Sequence, residues 1–104
     1  MSKEHAKLSL KSLVLEGLKE CASPVDLSLA IFNRWQTEGH PVERKYILPF
    51  IAINSDTDHL PSIDTEKLWQ PEALKHKLEE KKEYDAFYLS DFQKACEALI
   101  QKLN

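Results

Sequence analysis

Glycine is nearly absent from this chain: two occur in 104 residues, alongside five prolines and two cysteines. So little glycine leaves scant material for the tight turns that join β-strands, and it excludes the glycine-rich loops that cradle cofactor phosphates. No G-x-S-x-G elbow and no H-E-x-x-H helix is present either. The chain therefore reads as a non-enzyme without a cofactor. Arginine is also scarce. Arg34 and Arg44 are the only two, and a formal charge of −3 disfavours nucleic acid, whose phosphates require clustered Lys and Arg. The opening run MSKEHAKLSLKSLVLEGLKE is interrupted by charge every few positions. It has neither the apolar block of a signal peptide nor a membrane span, so a cytoplasmic location is expected. Cys21 and Cys96 show no C-x-x-C spacing, and both are expected to be buried, reduced thiols.

What is present suits one helical domain. A chain of 104 residues is long enough for a single core and too short for two. Its 42% hydrophobic and 30% charged residues are the balance of an ordinary globular protein. Leu10, Leu13, Val14, Leu18 and Cys21 recur at helical spacing, with Leu8 and Leu15 widening the stripe, which predicts a helix over about 4–21. Gly17 lies on that face, where it is either a site of close approach or a tolerated glycine. Ser23-Pro24-Val25-Asp26 is a helix start, with a hydroxyl cap, a proline that needs no partner and an acid three residues on. A second helix is expected over about 24–38, with Trp35 on its core face and Gly39 ending it.

Pro41 is placed to open a third helix, with Val42, Tyr46, Phe50 and Ile53 on one stripe. The run YILPFIAI could also read as a strand, but no second strand is available to pair with it. Within a helix, Pro49 should cause a kink through its clash with the Lys45 carbonyl. Ile63, Leu68 and Trp69 suggest a short helical turn or ordered arm before Pro71. From Pro71 onward the pattern is helical but uneven, with Lys75–Glu79 and Lys81–Asp85 spaced for solvated i,i+4 pairs. This stretch is one long helix or two pieces broken near residues 84–90.

The most chemically loaded segment is NSDTDHLPS, residues 54–62. It fails as a calcium loop, because the sixth position holds His59 or Pro61 where glycine is needed. The structural reading has Asn54 closing the third helix, Ser55 and the aspartates capping nearby N–H groups, and Pro61 stiffening the exit. The chemical alternative is a metal or polar-ligand site on Asp56, Asp58 and His59, completed by His40 and Glu43. That alternative requires the groups to converge.

The segment ILPFIAINSDTDHLPSIDTEKLW and the charged helix after it resemble an uncharacterised bacterial family of small helical proteins, catalogued as a domain of unknown function. Leu48-Pro49-Phe50-Ile51, His59-Leu60-Pro61 and the Lys/Glu-rich residues 75–83 ending in Tyr84 carry the resemblance, which covers about half the chain. It implies an all-helical fold and contributes no catalytic residue.

The reading is therefore an all-α single domain over residues 1–104, an irregular antiparallel bundle of four or five helices. Its expected role is a protein-binding module of the adaptor, inhibitor or immunity type. Trp69, Tyr46 and Phe50 are the candidate partner-binding residues. The broad apolar run from Tyr46 to Ile53 either fills the centre of the monomer or meets a second copy in a homodimer.

Overall fold

Ser23 and Pro24 open the second helix as their chemistry anticipates, and the rest of the architecture is arranged around it. The computed structural model describes residues 3–60 and 66–104. It contains four α-helices: α1 (Lys3–Lys19), α2 (Pro24–Thr37), α3 (Leu48–Asp56) and α4 (Pro71–Leu103). Two short 3-10 turns, Arg44–Tyr46 and Glu66–Leu68, lie in the connections. No strand occurs among the described residues. The chain is an all-α bundle, and α2 touches each of the other three helices.

The ends of α1 and α2 close in the same way. Ala22 N–H reaches back to the Gly17 carbonyl at 2.9 Å and Cys21 N–H to the Leu18 carbonyl at 3.2 Å. At the end of α2, His40 N–H reaches Trp35 and Gly39 N–H reaches Gln36, at 2.9 and 3.2 Å. This hydrogen-bond pair needs a left-handed residue just past the helix, a role filled by Gly39 (φ 76°) and Cys21 (φ 53°). Cys21 is thus a helix terminator and is exposed, contrary to the buried thiol expected; Cys96 is buried. Burial pushes the Cys96 thiol up to about 12. Gly17 is a site of close approach: an added Cβ would lie 2.5 Å from Leu27 Cδ2 of α2. Leu8 and Leu15, expected to widen the buried stripe of α1, are instead 61% and 44% exposed.

The third helix departs from expectation at its start. Pro41 does not begin it; residues 41–43 are non-helical, a 3-10 turn follows, and α3 starts at Leu48. Pro49 therefore falls in the first turn of α3, where no N–H partner is required and no kink results. The Trp35 indole N–H holds the non-helical connector by donating to the Val42 carbonyl at 2.9 Å. Ile47, Phe50 and Ile53 are buried, and the Phe50 ring meets Phe92 of α4 edge to face at 5.8 Å. That contact anchors α3 to α4.

α4 is one unbroken helix of 33 residues, about 50 Å long at 1.5 Å per residue, and it matches the 46 Å long axis of the molecule. Phe92, Cys96, Leu99 and Leu103 repeat at i, i+4, i+7 and i+11 and carry its core contacts. The same stripe continues towards the N-terminus as Tyr88, Asp85 and Lys81, and there its chemistry becomes polar. Asp85 accepts from the Ser23 hydroxyl at 2.7 Å and from the Val25 N–H at 3.0 Å. Lys81, buried, donates to both Asp26 oxygens at 2.7 and 2.8 Å. The anticipated Lys81–Asp85 surface pair is thus replaced by four hydrogen bonds to α2 and its Ser23 cap. Ser23 still caps locally, accepting from Asp26 N–H at 3.3 Å. Its partner acid comes from another helix.

Candidate interaction surface

The segment 54–60 is more helical than expected. Asn54, Ser55 and Asp56 belong to α3, and Thr57 ends it, its hydroxyl donating to the Ile53 carbonyl at 2.7 Å. Leu60 N–H then closes a turn onto the Thr57 carbonyl at 3.1 Å, and the Leu60 side chain is buried. Pro61 and Ile63 lie outside the described residues. This geometry points Asp56 and His59 towards α4.

Each of the two meets a single partner set. Asp56 Oδ2 accepts from the Tyr88 hydroxyl at 2.5 Å, and this bond, followed by burial, pushes the Tyr88 hydroxyl up to about 12. Nε2 of His59 lies 3.1 Å from Oε1 of Glu80, and Lys77 Nζ donates to the other oxygen at 3.2 Å. Those two neighbours, His59 first, lower the Glu80 carboxyl below its ordinary value. Asp58 is exposed. His40 and Glu43 are elsewhere: His40 stacks on Trp35 with centroids 4.0 Å apart, and Glu43 sits by Lys45 and Lys102 at 3.6 and 3.9 Å. The five residues do not converge. Among the described residues no group of three or more His, Cys, Asp or Glu is arranged to hold a metal ion.

Beside the Asp56 and His59 contacts, α4 carries a surface line of rings. The His59 ring meets Tyr84 at 5.8 Å, Tyr84 stacks on Tyr88 at 6.4 Å, and Phe87 meets Tyr88 edge to face at 5.0 Å. Phe87 itself is 74% exposed. A shallow cleft of about 460 Å³ lies against it, lined by Asp56, Glu80, Glu83, Tyr84 and Phe87. Edge-to-face and stacked rings hold one another in defined orientations, so the face is presented in a set shape.

The residues expected to anchor a partner are placed differently. Phe50 is fully buried against Phe92 and presents nothing to the surface, because α3 fills the centre of the bundle. Tyr46 is half-buried, with the Lys45 and Lys102 ammonium groups 5.3 and 5.7 Å from its ring centroid. Trp69 is half-buried after the second 3-10 turn, and the exposed apolar residue beside it is Leu68, at 76%. Helical spacing in the sequence fits either Phe87 or Tyr88 as the core position before Phe92. The i−4 step from Phe92 lands on Tyr88, and this alone turns Phe87 outward.

The fold and this surface define a four-helix, all-α protein with an aromatic face on its longest helix. No family model matches the chain, and neither a curated protein nor a solved structure matches it. No helix among the described residues is long and apolar enough to cross a membrane.

Proposed function

We propose that the protein is a non-enzymatic protein-binding module that engages its partner through the α4 face around Phe87. The observation that carries this reading is the exposure of Phe87 at 74%, next to two half-buried tyrosines, on a helix whose other phenylalanine is 2% exposed. Scattered apolar residues on a surface need no explanation, but grouped aromatic rings beside a cleft are the usual anchors of protein interfaces. The rings lie on a helix held at its C-terminal half by the core and at Lys81 and Asp85 by α2, so little conformational freedom remains to be lost on binding.

Affinity capture from the native cell extract, run in parallel with the wild-type protein and Phe87→Ser, tests the reading. A protein retained by the wild type and lost from the variant is expected. Identical retained proteins on both would overturn it.

A further inference from the structure

Phe87 is flanked by acids on its own face of α4. At 100° per residue, Glu80, Glu83 and Asp91 all stand within about 40° of Phe87 around the helix. Glu83 and Asp91 are exposed, one turn before and one turn after it. Asp56 of α3 joins Glu80 and Glu83 as the third carboxylate lining the cleft. The cations beside the cleft, Lys77 and His59, are both bonded to Glu80, and Lys94, exposed on the same face two turns beyond Phe87, lies outside the cleft. Carboxylates around ring faces form a setting that favours a cation, attracted by the ring quadrupole and by the acids together.

From this we infer that the occupant of the Phe87 face is a basic segment of a partner protein, which sets an Arg or Lys side chain into the Asp56–Glu80–Glu83 cleft against the Phe87 and Tyr84 rings. This rests on the docking reading above and specifies the chemistry of its partner. A second copy of this chain is a poor occupant. A two-fold axis along α4 would set Glu83 against Glu83 and Asp91 against Asp91, and one across α4 at Phe87 would set Glu83 against Asp91, like-charge contacts in either case and unfavourable. Arg fits better than Lys, because its planar guanidinium both stacks on a ring and bonds a carboxylate through two N–H groups.

The test selects random displayed peptides on the wild-type protein after depletion on Phe87→Ser, followed by affinity measurement of the enriched sequences. Enrichment in Arg and Lys is expected, with about a tenfold loss of affinity when the key Arg is replaced by citrulline or when Glu83→Gln is introduced. Binding should weaken as salt is raised, since the acids are exposed and screened. Unchanged melting temperatures for both variants keep the loss assignable to the surface. Phe87-dependent peptides without basic residues would overturn the charge inference and leave the docking reading standing. Absence of any Phe87-dependent peptide would overturn both. Light scattering showing a wild-type dimer and a Phe87→Ser monomer would assign the face to a second copy and end the proposal.

Discussion

Phe87 and Phe92 are five residues apart on one helix, yet one is 74% exposed and the other 2%. Five steps of 100° place them about 140° apart around α4, so register, not residue type, decides which is core. The stripe through Phe92 runs back through Tyr88, Asp85 and Lys81, and every one of these side chains meets another helix. The stripe through Phe87 carries Glu83, Asp91 and Lys94, all exposed, and the half-buried Glu80. One continuous helix thus supplies both a core wall and a free surface. Apolar contacts at its C-terminal half and two polar contacts to α2 keep the surface in place.

The largest effect that would break this contrast is on stability. Phe92→Ala should cost about 3–5 kcal/mol, the range for removing a buried ring, while Phe87→Ala should stay within about 0.5 kcal/mol. Thermal unfolding of the two variants side by side reads the difference. Equal losses would mean that Phe87 is buried in solution.

A smaller effect is expected at the polar end of the core stripe. Lys81 keeps only 7% of its side chain exposed and Asp26 21%. Asp26→Ala leaves the Lys81 ammonium buried without its carboxylate and should cost about 3 kcal/mol. Lys81→Met should cost less, because Asp26 retains solvent and sits in the first turn of α2, where a carboxylate is favoured. Chemical denaturation of the two single variants and the double variant gives the coupling. Additive losses would show that the pair does not hold α4 to α2.

The smallest effects test the two helix ends. An added Cβ at Gly39 meets nothing within 4 Å, so Gly39→Ala should lose about 1 kcal/mol through its φ of +76° alone. Cys21→Gly removes the same strain and should gain about 0.5 kcal/mol, the remainder being offset by the freedom glycine has in the unfolded chain. Urea unfolding resolves both. A stabilised Gly39→Ala would contradict the shared geometry of the two ends.

Much of the fold was legible because local chemistry decided it. Ser23-Pro24 starts α2, Gly39 ends it, and the lack of a strand partner favours helix over strand for YILPFIAI, which forms α3 from Leu48 onward. Pro49 was placed in the wrong part of its helix. A helix continuous from Pro41 would have driven the Pro49 ring against the Lys45 carbonyl, and the chain avoids this by restarting at Leu48. The uneven stripe of α4 was visible, but its reason was not. Lys81 and Asp85 find their partners 55 and 60 residues away, a pairing no local spacing encodes. The loaded segment at 54–60 does lie beside the candidate surface, although Asp56 and His59 serve there as hydrogen-bond partners of α4 rather than as a convergent ligand set. Phe87 itself was hidden by one residue of register.

Hydroxyl-radical footprinting of the free protein, read ring by ring, tests the division of α4 most directly. The account predicts rapid oxidation of Phe87 and strong protection of Phe92 and Phe50, in keeping with their exposures of 74%, 2% and 0%. Protection of Phe87 equal to that of Phe92 would contradict it.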